Sequence, residues 1–451
     1  MGQQKNIDCK VQRLTDGPKH HLFGFHDLPI SNKAGDRFLC LEVDIINRPP
    51  LPGELFGVGY VQDGQFVKVG ETTALNYPQG ARQQWVSSSN FFTVNNRVGD
   101  HWGADLYNAD SNKLVEHLPA TVHMLTRDGR YALGLDYARL HRLGGYGYIG
   151  LEDKGANNPY PDDSGITIMD METKEVRLLV SVKQAALCGA SNMSGKAHHY
   201  LTHLCVNPSG SRVAFLHRYF MPDGGMMTRL MTIGLDGSDL RCLAQGFLSH
   251  FDWKDDEHIY IFGRAGSSVD ALRNNPVMSN PLVKSLIRLA RKTIKAVVGK
   301  GKNVVGGMSF LMIEDSPEAP ITPFAKDIIP TDGHPMTCPA NNDWCICDNY
   351  PDEEGYRDLF LYQFSQDLRL NLGRFQRLFE EPDMTLKERF FLGIDTKILK
   401  NIQEQELAFT RSGLHCDLHP RWNAKGDRAF FDSIHEGKRQ VYYVEVASLV
   451  Q

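Results

Sequence analysis

Seventeen histidines are spread over the 451 residues, and several recur at comparable places. His198, His199 and His203 precede the apolar segment that starts at Val213, with His217 and Arg218 at its end. His250 precedes the segment at Ile259, His334 precedes that at Trp344, and His415 and His419 precede that at Ala429. Neutral imidazoles gathered with a thiol make a site for a borderline divalent metal, which takes N and S ligands in tetrahedral array. The expected ligands are His250, His334 and His419 with one of Cys347, Cys416 or His415. Zinc is the first expectation, with manganese or calcium as alternatives. No compact C-x-x-C or H-E-x-x-H unit is present, so the grouping depends on the fold, and each histidine alone also reads as a hydrogen-bonded structural residue.

A second constellation is His217-Arg218, with His203 and Tyr200 on the same segment pair. An imidazole base, a fixed cation and a phenol can remove a carbon-bound proton beside a carboxylate, hold the enolate charge and reprotonate the leaving oxygen, which is β-elimination from a uronic acid. The plainer reading has the arginine paired and the histidine satisfying backbone groups. Trp85, Asn96, Arg97, Arg139, Tyr146, Tyr148 and His199 are candidate sugar-lining residues, because aromatic faces and bidentate guanidinium groups hold uronates.

The elements that must position these residues repeat. A polar turn of Asn, Asp, Ser or Gly, often closed by Arg, precedes a short apolar strand at seven places, the strands starting at Phe38, Phe91, Tyr131, Val213, Ile259, Trp344 and Ala429. Strand, turn, strand in this rhythm is the sequence form of a β-propeller blade, and the count predicts a single seven-bladed domain over 1–451; a β-sandwich is the alternative. The 41 glycines and 22 prolines serve as turn punctuation. One stretch departs from the pattern. Within an insertion at about 265–308, residues 280–302 carry only basic charges with apolar residues at helical spacing. This reads as a basic amphipathic helix laid on the propeller, a lid over an anionic substrate, or a contact with an anionic surface.

A formal charge of −5 gives no general reason to expect nucleic acid. No window approaches the roughly 18 apolar residues of a membrane span, and the amino terminus lacks an apolar leader core. Nine cysteines without a regular framework suggest reduced thiols, so a cytoplasmic setting is expected.

The stretches His21-Leu-Phe-Gly-Phe-His-Asp, Thr73 to Trp85, Gly145-Tyr-Gly-Tyr, His203 to Arg218, Ser249-His-Phe-Asp-Trp, Asp332-Gly-His and Asp417-Leu-His-Pro-Arg-Trp together resemble the seven-bladed propeller polysaccharide lyases: the ulvan lyases and, more distantly, oligogalacturonate lyase. The resemblance runs from about His20 to Val446. It implies β-elimination on a uronate-containing glycan. In the oligogalacturonate branch it implies His217 as base and a metal held by His250, His415 and His419; in the ulvan branch it implies a structural zinc on His250, His334, Cys347 and His419, with Arg218 neutralising the carboxylate. His26-Asp27 stands where related sequences carry a tyrosine. The rival readings are a glycoside hydrolase on the same fold and a non-catalytic glycan-binding or scaffold propeller. A serine-peptidase propeller lacks support, because there is no Gly-x-Ser-x-Gly elbow.

Overall fold

The computed structural model describes residues 2–189, 197–221, 225–266, 280, 307–399 and 403–450. The basic segment expected at 280–302, and with it almost all of the 265–308 insertion, lies outside the described residues.

All seven predicted strands form: Phe38–Val43, Phe91–Val98, Tyr131–Leu135, Arg212–Phe220, His258–Ala265, Trp344–Asp348 and Arg428–Ser433. The turns before them have a local cause. The Asn32 side-chain oxygen accepts from the backbone N–H of Gly35, Asp36 and Arg37, Asn207 accepts from Ser211 and Arg212, and Asn423 accepts from Asp427 and Arg428. The arginine closing such a turn reaches an acid on another strand, as in Arg130–Asp170 at 2.5 Å and Arg212–Asp315 at 2.5 Å.

Among the described residues the strands build six antiparallel sheets, numbered here by their first long strand. Four are four-stranded: the first over 20–72, the second over 84–118, the third over 124–181, and the sixth, which joins Arg421–Trp422, Arg428–Ser433 and Gln440–Glu445 to the N-terminal Gln12–Arg13. The fifth, over 336–376, also takes Gln3–Asn6 as a parallel edge. The fourth has seven strands and pivots on the 13-residue strand Arg241–Trp253. Its start pairs with Met226–Gly234, its end pairs with His258–Ala265, and its register shifts between Leu248 and Phe251.

Apolar clusters pack each sheet on the next. Ala104 and Leu118 meet Ala132 and Met169, Ile166 and Ile168 meet Phe215 and Met231, Tyr260 and Phe310 meet Phe360 and Tyr362, and Leu361 and Leu372 meet Phe431 and Val444. The sixth sheet then returns to the first through Phe430 and Phe38, ring centroids 5.2 Å apart, and the first meets the second through Tyr60 and Trp85. The result is an all-β, propeller-like succession of sheets around a common centre. Its ends are bonded together: Leu14 N–H donates to Val441 O and His21 N–H to Arg439 O, both at 2.9 Å. Beneath that seam lies a fully buried ion triad in which Asp432 accepts from Arg421 at 2.5 Å and from Arg439 at 3.1 Å.

Six of the seven predicted strands are next to an edge of their sheet, and His258–Ala265 lies inside the seven-stranded sheet. Short edge strands precede most of the six, such as Met124–Leu125, Met336–Thr337 and Arg421–Trp422, two residues each and too short to show a period in sequence. The histidines lie on or beside these edges. Among the described residues no helix is long and apolar enough to cross a membrane, and all nine cysteines are unpaired.

Candidate active site

The edge residues of different sheets converge on one aromatic side chain. Phe25 has ring centroids within 6.5 Å of His26, Tyr146, His203, His250, His334 and His419. Gly24 makes that position reachable. Its φ is 130°, and a Cβ there would lie 2.7 Å from the Gln79 backbone, so only glycine lets the two chains pass. Two of the histidines hold left-handed backbones, His203 at φ 55° and His419 at φ 42°, a strain that concentrates at functional sites.

Hydrogen bonds set which imidazole nitrogens carry lone pairs. His334 Nδ1 lies 2.8 Å from Asp348 Oδ1 and His419 Nδ1 lies 3.0 Å from Gly24 O. Both acceptors require N–H at Nδ1, which leaves each Nε2 as a donor atom for a metal. Asp348 is fully buried and also accepts from the His419 backbone N–H, so one carboxylate sets two histidines. His334, Asp417 and His419 place one ligand atom each within 4.8 Å of one another, all buried. Burial alone would push the Asp417 carboxyl up, but His415 and Arg357 beside it hold it well below the usual range, so it is an anion. Two imidazoles and one carboxylate fit a divalent cation.

Above this cluster opens a cavity of about 510 Å³, within the range of about 300–1,000 Å³ typical of ligand pockets. Tyr146, Tyr200, Tyr350, Arg218, Arg411 and His415 line it. Tyr146 stands edge-on to His203, and Tyr350 stands edge-on to His334. His415 Nε2 lies 2.7 Å from Asp417 Oδ2, so Nε2 carries the ring proton and donates to the carboxylate, and Nδ1 keeps its lone pair. Burial pushes the Tyr146 phenol up to about 12 against the pull of Arg218, and also raises Tyr200; both remain proton donors. Arg411 donates from Nη2 to His141 Nδ1 at 2.7 Å, while its buried Nη1 has no partner; the same holds for Arg218 Nε. Burial lowers Arg411 to about 10. Among the described residues no carboxylate pairs with Arg218 or Arg411.

The sequence candidates divide by strand parity. Tyr200 faces Arg218, and Leu201 faces His217, across the strands His199–Val206 and Arg212–Phe220. Neighbours on a strand point to opposite sides. Arg218 and Tyr200 therefore reach the cavity, whereas His217 stacks on His199 and Tyr219 on the other face, with its Nε2 2.9 Å from His199 Nδ1. His217 and Arg218 do not act on a common point, and His199 lies with His217 away from the cavity. His203 lies behind Tyr146 with an unpartnered buried Nε2. Cys347 alternates with Asp348 and turns into the apolar cluster of Phe360 and Tyr362, so no thiol joins the His334–Asp417–His419 donors. His250 is tilted against His334 with ring centroids 4.2 Å apart, and its Nδ1 faces Asp332, which leaves Nε2 free, but it is not among the three residues whose ligand atoms lie within 4.8 Å of one another; Cys416 belongs to an apolar cluster.

Of the proposed sugar-lining residues, only Tyr146 lines the cavity. Trp85 is core, its indole N–H donating to Ile30 O. Tyr148 stacks on Tyr137 at 4.2 Å. Arg139 holds backbone carbonyls at His199, Asn158 and Pro159. Asn96 ties Thr73 to Asp105, and exposed Arg97 binds Gly99 O. Sequence reading missed Phe25, Tyr350, Arg411, Asp348 and Asp417. Asp417 could have been found in His415-x-Asp417-x-His419, whose spacing puts three ligand-type residues on one side of an extended segment.

The buried histidines make stability pH-dependent. Burial, aided by Arg411 beside His141 and by Arg139 near His199, holds both imidazoles down to about 3. The unfolded chain takes these protons near pH 6.5 and the folded one does not, so stability is lost as pH falls below 6.5. Each residue should cost about 2 kcal/mol at pH 5 relative to pH 8. Urea midpoints should drop steeply over that interval, and a flat profile from pH 7 to pH 5 would contradict the assignment.

No family model and no curated protein matches the chain. Among solved structures, an oligogalacturonate lyase from Vibrio parahaemolyticus is similar at a TM-score of 0.55 and 12% identity, covering 98% of this chain and 95% of that one. An oligogalacturonate lyase in complex with manganese is similar at 0.41 and 10%, covering 99% and 98%. The β-propeller domain of the Trilobed protease from Pyrococcus furiosus gives 0.38 and 9%, covering 78% of each chain. At this identity the first likeness carries the propeller-like fold alone. The ulvan-lyase side of the resemblance gains no support from these comparisons.

Proposed function

We propose that the chain is a lyase that cleaves a uronate-containing oligosaccharide by β-elimination in the tyrosine-lined cavity. The observation that carries the reading is two guanidinium groups without a carboxylate partner, facing a cavity whose floor holds a carboxylate-oriented imidazole. Arg218 and Arg411 bind the anionic sugar, with Arg218 neutralising the carboxylate of the reacting residue. His415 Nδ1 takes the proton from the carbon bearing that carboxylate, while Asp417 keeps the ring in the working tautomer. The electron pair forms the C4–C5 double bond, the C4–O bond breaks, and a tyrosine hydroxyl on the wall protonates the leaving oxygen. Tyr146 and Tyr200 carry the proton needed for that last transfer.

His334, Asp417 and His419 would hold a divalent cation, which when bound would supply fixed positive charge at this site. Without Cys347 the donor set has no thiolate reason to favour zinc over manganese, and with two imidazoles it suits calcium poorly. Seven blades follow from this reading if the fourth sheet divides at the register shift of Arg241–Trp253, giving each template strand a sheet of its own.

Incubation with oligouronides should produce an unsaturated uronate, read by its ultraviolet absorbance; cleavage without it would replace the lyase by a hydrolase, and binding without cleavage would leave a glycan-binding propeller. Elemental analysis should find about one divalent metal per chain, retained in His217→Gln and lost in His419→Ala. Retention of metal by His419→Ala would remove these residues from the role.

A further inference from the structure

The cavity changes character along its length. On the strand Arg212–Phe220 the side chain two residues beyond Arg218 on the same face is Phe220, which pairs directly with Met226. Both line the cavity, so within one strand repeat of about 7 Å the wall passes from guanidinium to apolar. The helix Glu404–Arg411 presents Leu407 to the cavity beside Glu406, Thr410 and Arg411, and Ile398 and Leu399 line it as well. Met226 is 39% exposed, and its sulfur accepts from the Tyr200 hydroxyl at 3.0 Å, so an apolar surface begins at the mouth where polar side chains would suit a bare sugar. An unsubstituted oligouronide presents hydroxyls on nearly every carbon and would leave them without partners against this wall.

Resting on the anionic-sugar reading, the geometry points to a substrate with two parts: a uronate held at Arg218, Arg411 and His415, and an apolar aglycone laid against Phe220, Met226, Leu399 and Leu407. The chain is thus selective for oligouronides that carry an alkyl or aryl group over unconjugated ones, the C4–O bond between sugars remaining the one that breaks. The cations select the head and the apolar wall selects the tail, so neither part alone binds well.

Binding separates this from the catalytic reading because it needs no turnover. Calorimetric titration with octyl glucuronide, glucuronate and octyl glucoside should show octyl glucuronide bound about tenfold or more tightly than either of the others. Phe220→Ser and Leu399→Ser should remove the gain from the octyl chain while leaving glucuronate affinity unchanged, and thermal melting verifies that each variant is folded. Equal affinity for octyl glucuronide and glucuronate, or no binding of octyl glucuronide, overturns the inference. If octyl glucuronide binds as expected but no oligouronide, plain or alkyl-conjugated, is cleaved, the lyase reading falls and the two-part specificity stands.

Discussion

Alanine at His415 is expected to lower kcat by about 10³-fold, within the roughly 10²–10⁴ contributed by a positioned general base, while KM changes little. The two effects separate because the groups are separate. Arg218 and Arg411 reach the cavity from the strand Arg212–Phe220 and the helix Glu404–Arg411, and both survive the substitution, so the anionic sugar still binds. His415 contributes an Nδ1 lone pair that exists because Asp417 holds the ring proton at Nε2 by accepting its hydrogen bond, and alanine removes it. Arg218→Ala should show the complementary pattern, with a higher KM and a lower kcat, since it touches the carboxylate in both ground and transition states. His217→Gln is the decisive control. That ring lies on the far face of its strand against His199, and its removal should alter stability more than turnover. Full loss of turnover in folded His217→Gln, with His415→Ala still active, would return the base to His217.

Asp432→Asn is expected to destabilise the fold by about 3–5 kcal/mol, read as a lower denaturant midpoint. Asp432, Arg421 and Arg439 have no exposed side-chain surface. One carboxylate serves two guanidinium groups, and Arg421 also lies over the Phe23 ring at 4.5 Å. Asparagine keeps the shape but leaves two buried cations without a counter-charge, which costs more than the pair gains relative to apolar residues. Replacing all three by apolar residues should restore part of the loss. A midpoint within about 0.5 kcal/mol of the parent for Asp432→Asn would show that the two arginines find water or other acceptors.

The strands were legible because their signals are local. Asn32, Asn207 and Asn423 each close a turn with their own side chains, and the apolar runs after them have nowhere to go but a sheet. The metal-type residues were partly legible for the same reason: His334 and His419 could be picked by type and place. What a residue faces was not legible. His217 and Arg218 look like partners in sequence and part at the first strand alternation, and Cys347 parts from Asp348 in the same way. Trp85, Tyr148 and Arg139 have the chemistry of sugar-binding residues, but an indole, a phenol and a guanidinium also satisfy buried carbonyls and fill a core, and only packing distinguishes the uses. Arg411 was invisible because its significance lies in a missing partner.

The pairing of the first and sixth sheets decides when the histidine cluster can form. His419 takes its tautomer from Gly24, Phe25 stands among histidines from four sheets, and Gly24 and His419 are 395 positions apart. The histidine cluster around Phe25 is therefore complete only when the sheet over 421–445 docks on the segment 20–25. A chain lacking residues 413–450 would keep Arg218 and most of the sheets but lose His415, Asp417 and His419 together with the seam that seats Gly24 and Phe25.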